Sequence, residues 1–180
     1  AEKSFNQDLN SDGSIGEKIL YTTTESNGSV SLIKDSDGKA YVQVSGASRI
    51  KLTDSSNRHI GNKTFSGWDI VGAETVAGVN QIILKNSNGG QFYRFKLDSN
   101  WKISSGNYLS GTPLYDAEKS FNQDLNSDGT IGEKISYTTT ESQGSVSLIN
   151  DSNGTAYVQV SGGSRLKLTD SSNLSLIHLS

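Results

Sequence analysis

With 180 residues and a net charge of −3 from 16 basic and 19 acidic side chains mixed along its length, the chain has no basic face to follow a phosphate backbone. Nucleic acid is not an expected partner. Cysteine is absent and histidine occurs only at His59 and His178, which excludes disulfides, thiolate sites and imidazole-based zinc sites. Only 32% of residues are hydrophobic, but they fall in short Val, Ile, Leu, Tyr and Phe runs. These are too short to span a membrane and suit small β cores between Gly-, Ser-, Asn- and Asp-rich turns.

Residues 1–57 reappear as residues 117–173, a period of 116 residues, and differ only at Ser14/Thr130, Leu20/Ser136, Asn27/Gln143, Lys34/Asn150, Asp37/Asn153, Lys39/Thr155, Ala47/Gly163 and Ile50/Leu166. One complete unit and rather more than half of a second are expected. The expected division is residues 1–19, a helix and acidic loop; 20–112, a β-rich module; 113–135, the second helix and loop; and 136–180, a shortened second module. No charged-then-apolar leader opens the chain, so the targeting signal of an exported parent is expected elsewhere.

Each copy begins with a short helical stretch containing Phe5 or Phe121, and Asp116, three residues after Pro113, is the expected N-cap in the second. Residues 8–16 then read Asp-Leu-Asn-Ser-Asp-Gly-Ser-Ile-Gly, and residues 124–132 repeat the pattern. Calcium takes about six to eight oxygens, which an EF-hand loop supplies from positions 1, 3, 5, 7 and 9 and a carboxylate at 12. Asp8, Asn10, Asp12 and Ser14, and likewise Asp124, Asn126, Asp128 and Thr130, occupy the first four of these positions. Gly13 stands where the loop must turn, and Ile15 where it packs an apolar side chain. Position 12 holds Ile19 or Ile135, which cannot ligate. The closing carboxylate must therefore come from Glu17 and Glu133, from Glu2 and Glu118, or be replaced by water. Ca2+ is the expected cofactor, bound weakly, with Kd on the order of 10⁻⁴ to 10⁻³ M. Without a metal the same residues read as an Asx-rich turn.

Residues 19–24, 29–33, 40–44 and 49–53 carry β-branched or alternating patterns, and Asp35-Ser36-Asp37-Gly38 supplies a hairpin turn. Its counterpart is Asp151-Ser152-Asn153-Gly154, and an internal echo, Asn86-Ser87-Asn88-Gly89, precedes Phe92-Tyr93-Arg94-Phe95. Exchange of Asp for Asn across the three favours a plain turn over a metal site. The unit reads as two related hairpin halves with about seven or eight strands. The expected fold is mainly β: antiparallel hairpins forming a small sandwich- or barrel-like module, with one short helix leading into an EF-hand-like loop per repeat. The match between copies ends at Leu174, which leaves the second module without half its strands and its edges open to pairing with another chain or with the first unit.

Neither histidine lies in the shared part of the repeat, so nucleophilic catalysis is not expected. Glu74, in Gly-Ala-Glu, is the one isolated carboxylate. Trp68, Trp101, Tyr93 and Phe92 read either as core or as an aromatic platform for a sugar ring.

The stretch from Phe65-Ser66-Gly67-Trp68 through Gly72-Ala73-Glu74, Phe92-Tyr93-Arg94-Phe95 and Trp101 to the loop at residues 124–132 resembles the tryptophan-rich, Synechocystis-type C-terminal repeat domain of large secreted bacterial and cyanobacterial proteins. The loop itself is similar to a dockerin repeat, but it runs into strands where a dockerin has helices. The resemblance implies an exported, calcium-associated, non-catalytic repeat module, extracellular or at the cell surface, with a structural or adhesin-like role. Neighbouring repeat units, and a surface glycan or protein, are the implied partners. A carbohydrate-binding module using exposed aromatics is the alternative.

Overall fold

The computed structural model describes residues 2–11, 13–88 and 90–175, which form two compact units, residues 1–132 and 133–180. In the first unit a short helix, α1 (Glu2–Phe5), precedes β1 (Tyr21–Glu25), β2 (Val30–Asp35), β3 (Ala40–Val44) and β4 (Ile50–Lys51). These four strands make an antiparallel sheet in the order β1-β2-β3-β4. A second antiparallel sheet follows in the order β5-β6-β7-β8, from β5 (Trp68–Val76), β6 (Val79–Asn86), β7 (Phe92–Leu97) and β8 (Ile103–Leu109). The expected hairpin echo is thus the centre of each sheet, β2-β3 in one and β6-β7 in the other.

The turns show why the chain reverses where it does. In Asp35-Ser36-Asp37-Gly38 the Asp35 carboxylate accepts from the amides of Asp37 and Lys39, at 3.0 and 2.8 Å. Asp54 does the same for Ser56 and Arg58, and Asp98 for Asn100 and Lys102. Each first residue also accepts, through its carbonyl, from the amide three residues on. That residue takes a left-handed backbone: Gly38 at φ 76°, Asn57 at 62° and Trp101 at 60°. This is a type I turn closed by a left-handed residue, a common hairpin connection. For an indole such a backbone costs about 1–3 kcal/mol. Trp101 is only 2% exposed in the core, and burying ~150 Å² or more of it at about 25 cal/mol/Å² contributes about 4 kcal/mol, which wins.

The centre of the second sheet is covered on both faces. Ile82 and Leu84 of β6 join Val30, Leu32, Val42 and Leu52 of the first-sheet side in one apolar core. Ile83, between them, points the other way, into a second core with Phe92, Leu109, Leu114, Ala117 and Phe121. The two sheets also join at one corner, where Thr53 and Lys102 form a parallel bridge. Neither sheet closes on itself, so the barrel-like alternative is corrected to two open layers: the bonded order ends at β1 and β4 in one and at β5 and β8 in the other.

Helix α2 (Thr112–Phe121) supplies the second core's outer wall with Leu114, Ala117 and Phe121, spaced i, i+3 and i+7 on one face. It begins earlier than the expected cap at Asp116. Gly111, at φ 55°, is the N-cap, and Pro113 sits in the first turn, where its missing N–H is harmless. Asp116 accordingly lies inside the helix. Asn122 ends α2 in a left-handed conformation, with amide bonds returning to Glu118 and Lys119.

In the second unit β9 (Tyr137–Glu141), β10 (Val146–Asp151), β11 (Ala156–Val160) and β12 (Arg165–Lys167) repeat the first sheet, with Val146 paired to Val160 as Val30 is to Val44. Val146 is 42% exposed, whereas Val30 is 1% exposed. The end of the apolar tail, residues 176–180, lies outside the described residues.

Residues 1–13 and 117–129 are identical, yet Phe5 is 70% exposed and Phe121 2%, because only Phe121 follows a sheet that it can cover. Phe121→Ala is expected to destabilise the chain by about 3–5 kcal/mol, and Phe5→Ala by no more than about 0.5 kcal/mol. Chemical denaturation of both variants checks this; equal losses would contradict the packing described.

Candidate functional site

In the loop at residues 124–132 the carboxylate of Asp124 accepts from the amides of Asp128 and Gly129, at 3.1 and 2.8 Å. The side-chain oxygen of Asn126 accepts from the Asp128 amide at 2.8 Å, and the Asp128 carboxylate accepts from the Thr130 amide at 2.9 Å. Asn126 also donates its side-chain N–H to Asp128 at 3.0 Å. The structure therefore brings Asp124, Asn126, Asp128 and Thr130 together in one compact turn.

Opposite them lies a residue whose role the sequence left open. Glu118 is fully buried, and its two oxygens accept from the amides of Asn126 and Gly132, at 3.1 and 2.9 Å. In the first copy Glu2 accepts from Leu9, Asn10 and Gly16 in the same way. These glutamates clamp the loop through its backbone. Gly132, at φ 93°, admits the stem of Lys119, which a Cβ would meet at 2.5 Å. Lys85 of β6 donates to the Leu125 carbonyl at 3.1 Å, and Gln123 to the Val71 carbonyl at 3.1 Å, which anchor the second loop to the sheet. No sequence signal marks Lys85 or Gln123, since both contacts span long separations.

In the first loop Asp8 accepts from the Gly13 amide at 2.9 Å, as Asp124 does from Gly129 in the second. Asp12 lies outside the described residues. Glu17 and Glu133 are exposed, and Glu133 belongs to the second unit. For a hard cation the donor set is suitable in kind, all oxygen. The Asp8 Oδ1 atom is buried without a hydrogen-bond partner among the described residues. Among the described residues no three His, Cys, Asp or Glu side chains are grouped to hold a metal ion, and a cation in the second loop would also draw on Asn126, Thr130 and solvent.

Glu74, flagged in the sequence, ties the two sheets. It is 5% exposed and accepts from the Ser29 amide at 2.7 Å, from the Ser29 hydroxyl and from the Thr75 amide. Gly28 gives it room, for a Cβ there would lie 1.6 Å from Glu74 Oε2. Nearby Glu25 is also buried, and one of its oxygens has no partner among the described residues. Burial pushes the Glu25 pKa upward; amide bonds from Asn27 and Ala73 oppose this and the charge of Glu74 adds to it. His59 donates from Nε2 to the Ala40 carbonyl, 2.8 Å away, and meets Tyr41 edge-on. Tyr41 in turn donates to the Asp35 carboxylate at 3.0 Å.

Of the four candidate platform aromatics, Trp101 and Phe92 are core, each 2% exposed. Trp68 and Tyr93 instead line an open hollow of about 160 Å³ with Phe65, Leu84, Phe95 and Tyr108.

Residues 30–132, from β2 to the end of the second acidic loop, match the model of the family described as the Tryptophan-rich Synechocystis species C-terminal domain. No curated protein and no solved structure matches the chain.

A carboxyl whose folded-state pKa is raised contributes stability below its unfolded value that is lost as pH rises through the folded value. Glu25→Gln is therefore expected to melt above the parent at pH 7, with the gap closing towards pH 4; thermal melts across that range check it, and a constant gap would contradict it. Gly28→Ala is expected to displace Glu74 from Ser29 and lower stability by about 1–3 kcal/mol, measured by chemical denaturation.

Proposed function

The chain belongs to the family of the Tryptophan-rich Synechocystis species C-terminal domain, and on that ground we propose that it is a non-catalytic, exported repeat module with a structural or adhesive role at the cell surface, stabilised by calcium in its acidic loops. The observation that carries the calcium reading is the loop at residues 124–132. Its first, third and fifth positions turn inward on successive backbone amides, and a buried glutamate from α2 closes it from behind. The same sequence recurs at the start of the chain, so one loop stands on each side of the β1–β8 region.

In this reading Asp124, Asn126, Asp128 and Thr130 hold the ion, as do Asp8, Asn10, Asp12 and Ser14 in the first loop. The protein oxygens are few, and water supplies the rest. Glu118 and Glu2 act through the backbone: they keep the loop closed whether or not the ion is bound. A bound ion would offset the repulsion between the paired aspartates and favour the folded state by mass action. The role is mechanical, fixing the segment that joins consecutive repeats.

Calorimetric titration of calcium into metal-stripped protein is expected to show about two ions, with Kd on the order of 10⁻⁴ to 10⁻³ M. At ten times Kd, stability should rise by about 1.4 kcal/mol per site. An Asp124→Ala, Asp128→Ala variant should lose one of the two ions. Absence of heat and of any Tm shift at millimolar calcium would leave the loops as Asx turns and overturn the calcium reading.

A further inference from the structure

The geometry points to a second site, separate from the acidic loops: the aromatic hollow of the second sheet binds one ring of a neutral sugar. Its floor and walls come from the face that carries the first apolar core. Cross-strand register sets Leu84 beside Tyr93 and Tyr93 beside Tyr108, while Phe95 lies opposite Gly106. Trp68 at the start of β5 and Phe65 in the preceding turn complete the wall. Leu84 is 2% exposed and Tyr108 65%, so the hollow runs from a dry floor to a wet rim.

The rings brace one another. Tyr93 and Tyr108 meet at 4.9 Å edge-to-face, Tyr93 and Phe95 at 4.9 Å, and Trp68 lies 6.1 Å from Tyr108 and 6.4 Å from Tyr93. Gly106 makes this possible: a Cβ there would lie 2.5 Å from the Tyr93 ring and 2.8 Å from that of Phe95. The absence of a side chain lets both rings settle against the sheet.

Three properties select the ligand. The lining residues carry no charge, which favours a neutral molecule. The hydroxyls of Tyr93 and Tyr108 and the indole N–H of Trp68 form no hydrogen bond with another described residue, so polar groups stand unused beside flat apolar area. The volume of about 160 Å³ is below the 300–1,000 Å³ of sites for drug-sized ligands. A pyranose ring matches all three: its C–H face is apolar, its edge is a ring of hydroxyls, and it is small. A proline-rich peptide would need a second aromatic slot about 9 Å on, one turn of its helix, whereas the residues lining the hollow make one slot of single-ring size.

The test is a glycan array probed with the full chain, carrying neutral and acidic oligosaccharides, followed by tryptophan-fluorescence titration of the best neutral hit with and without calcium. The expected result is binding of a neutral glycan with a change in emission. Trp68→Ala should weaken it by about tenfold or more, and Tyr108→Phe, which removes only an exposed hydroxyl, should weaken it measurably with an unchanged Tm. Retention of binding without calcium, alongside a failed calcium titration, would separate this proposal from the loop reading. Silence across the neutral glycans, binding confined to acidic glycans, capture of a proline-rich control peptide in their place, or full affinity in both variants would each overturn it.

Discussion

The centre of strand β6, from Gln81 to Leu84, has no wet face, and the first unit is organised around that constraint. Ile82 and Leu84 need cover on one side and Ile83 on the other, because successive strand residues point to opposite faces. The first sheet, which precedes β6 in the chain, covers one side, and α2, which follows it, covers the other. Each fully buried Leu or Ile contributes about 1.5–3 kcal/mol, so neither layer is dispensable. A strand of this kind is usual in a helix-covered parallel sheet; here an antiparallel sheet acquires it by sandwiching between a second sheet and a helix.

The polar groups at these seams follow from the same packing. Where the first sheet meets β5, Glu74 satisfies the loop at Ser29; where α2 meets its loop, Glu118 satisfies two amides. A buried carboxylate is tolerable when hydrogen bonds surround it. Glu25, with one oxygen unpartnered among the described residues, is the exception: burial pushes its pKa upward, and the charge of Glu74 beside it adds to the shift.

Both proposed sites grow out of this frame. The acidic loop is the continuation of the helix that seals the second core, so its backbone is held by Lys85, Gln123 and Glu118 before any ion is considered. The aromatic hollow is the part of the opposite face that the first sheet leaves uncovered. One site is thus presented on rigid secondary structure, and the other is clamped to it. Such support is what a weak metal loop or a single-ring sugar site needs to hold its geometry.

The turns were legible because their chemistry is local. An Asp or Asn followed by Ser, with Gly or Asn three residues on, carries its own hydrogen bonds, and the hairpin echo followed from it. The same motif recurs at Asp54 and Asp98, where the sequence marks it less clearly: Trp101 occupies the left-handed position in the latter, where a glycine is expected. The aromatic residues were not legible in this way: Trp101 and Phe92 went inside, while Trp68 and Tyr93 stayed at the rim with Tyr108. Strand register and the edge of the facing sheet decided that. The limit is sharpest in the two identical stretches, residues 1–13 and 117–129. Sequence alone determined that each turns on its aspartate carboxylate, since Asp8 and Gly13, like Asp124 and Gly129, lie only five residues apart; the glutamate clamp closes over 14 residues and came only with the fold. Only the tertiary structure decided that Phe121, Leu125 and Glu118 are buried while Phe5 and Leu9 face water, because burial depends on a sheet formed by residues far away in the chain.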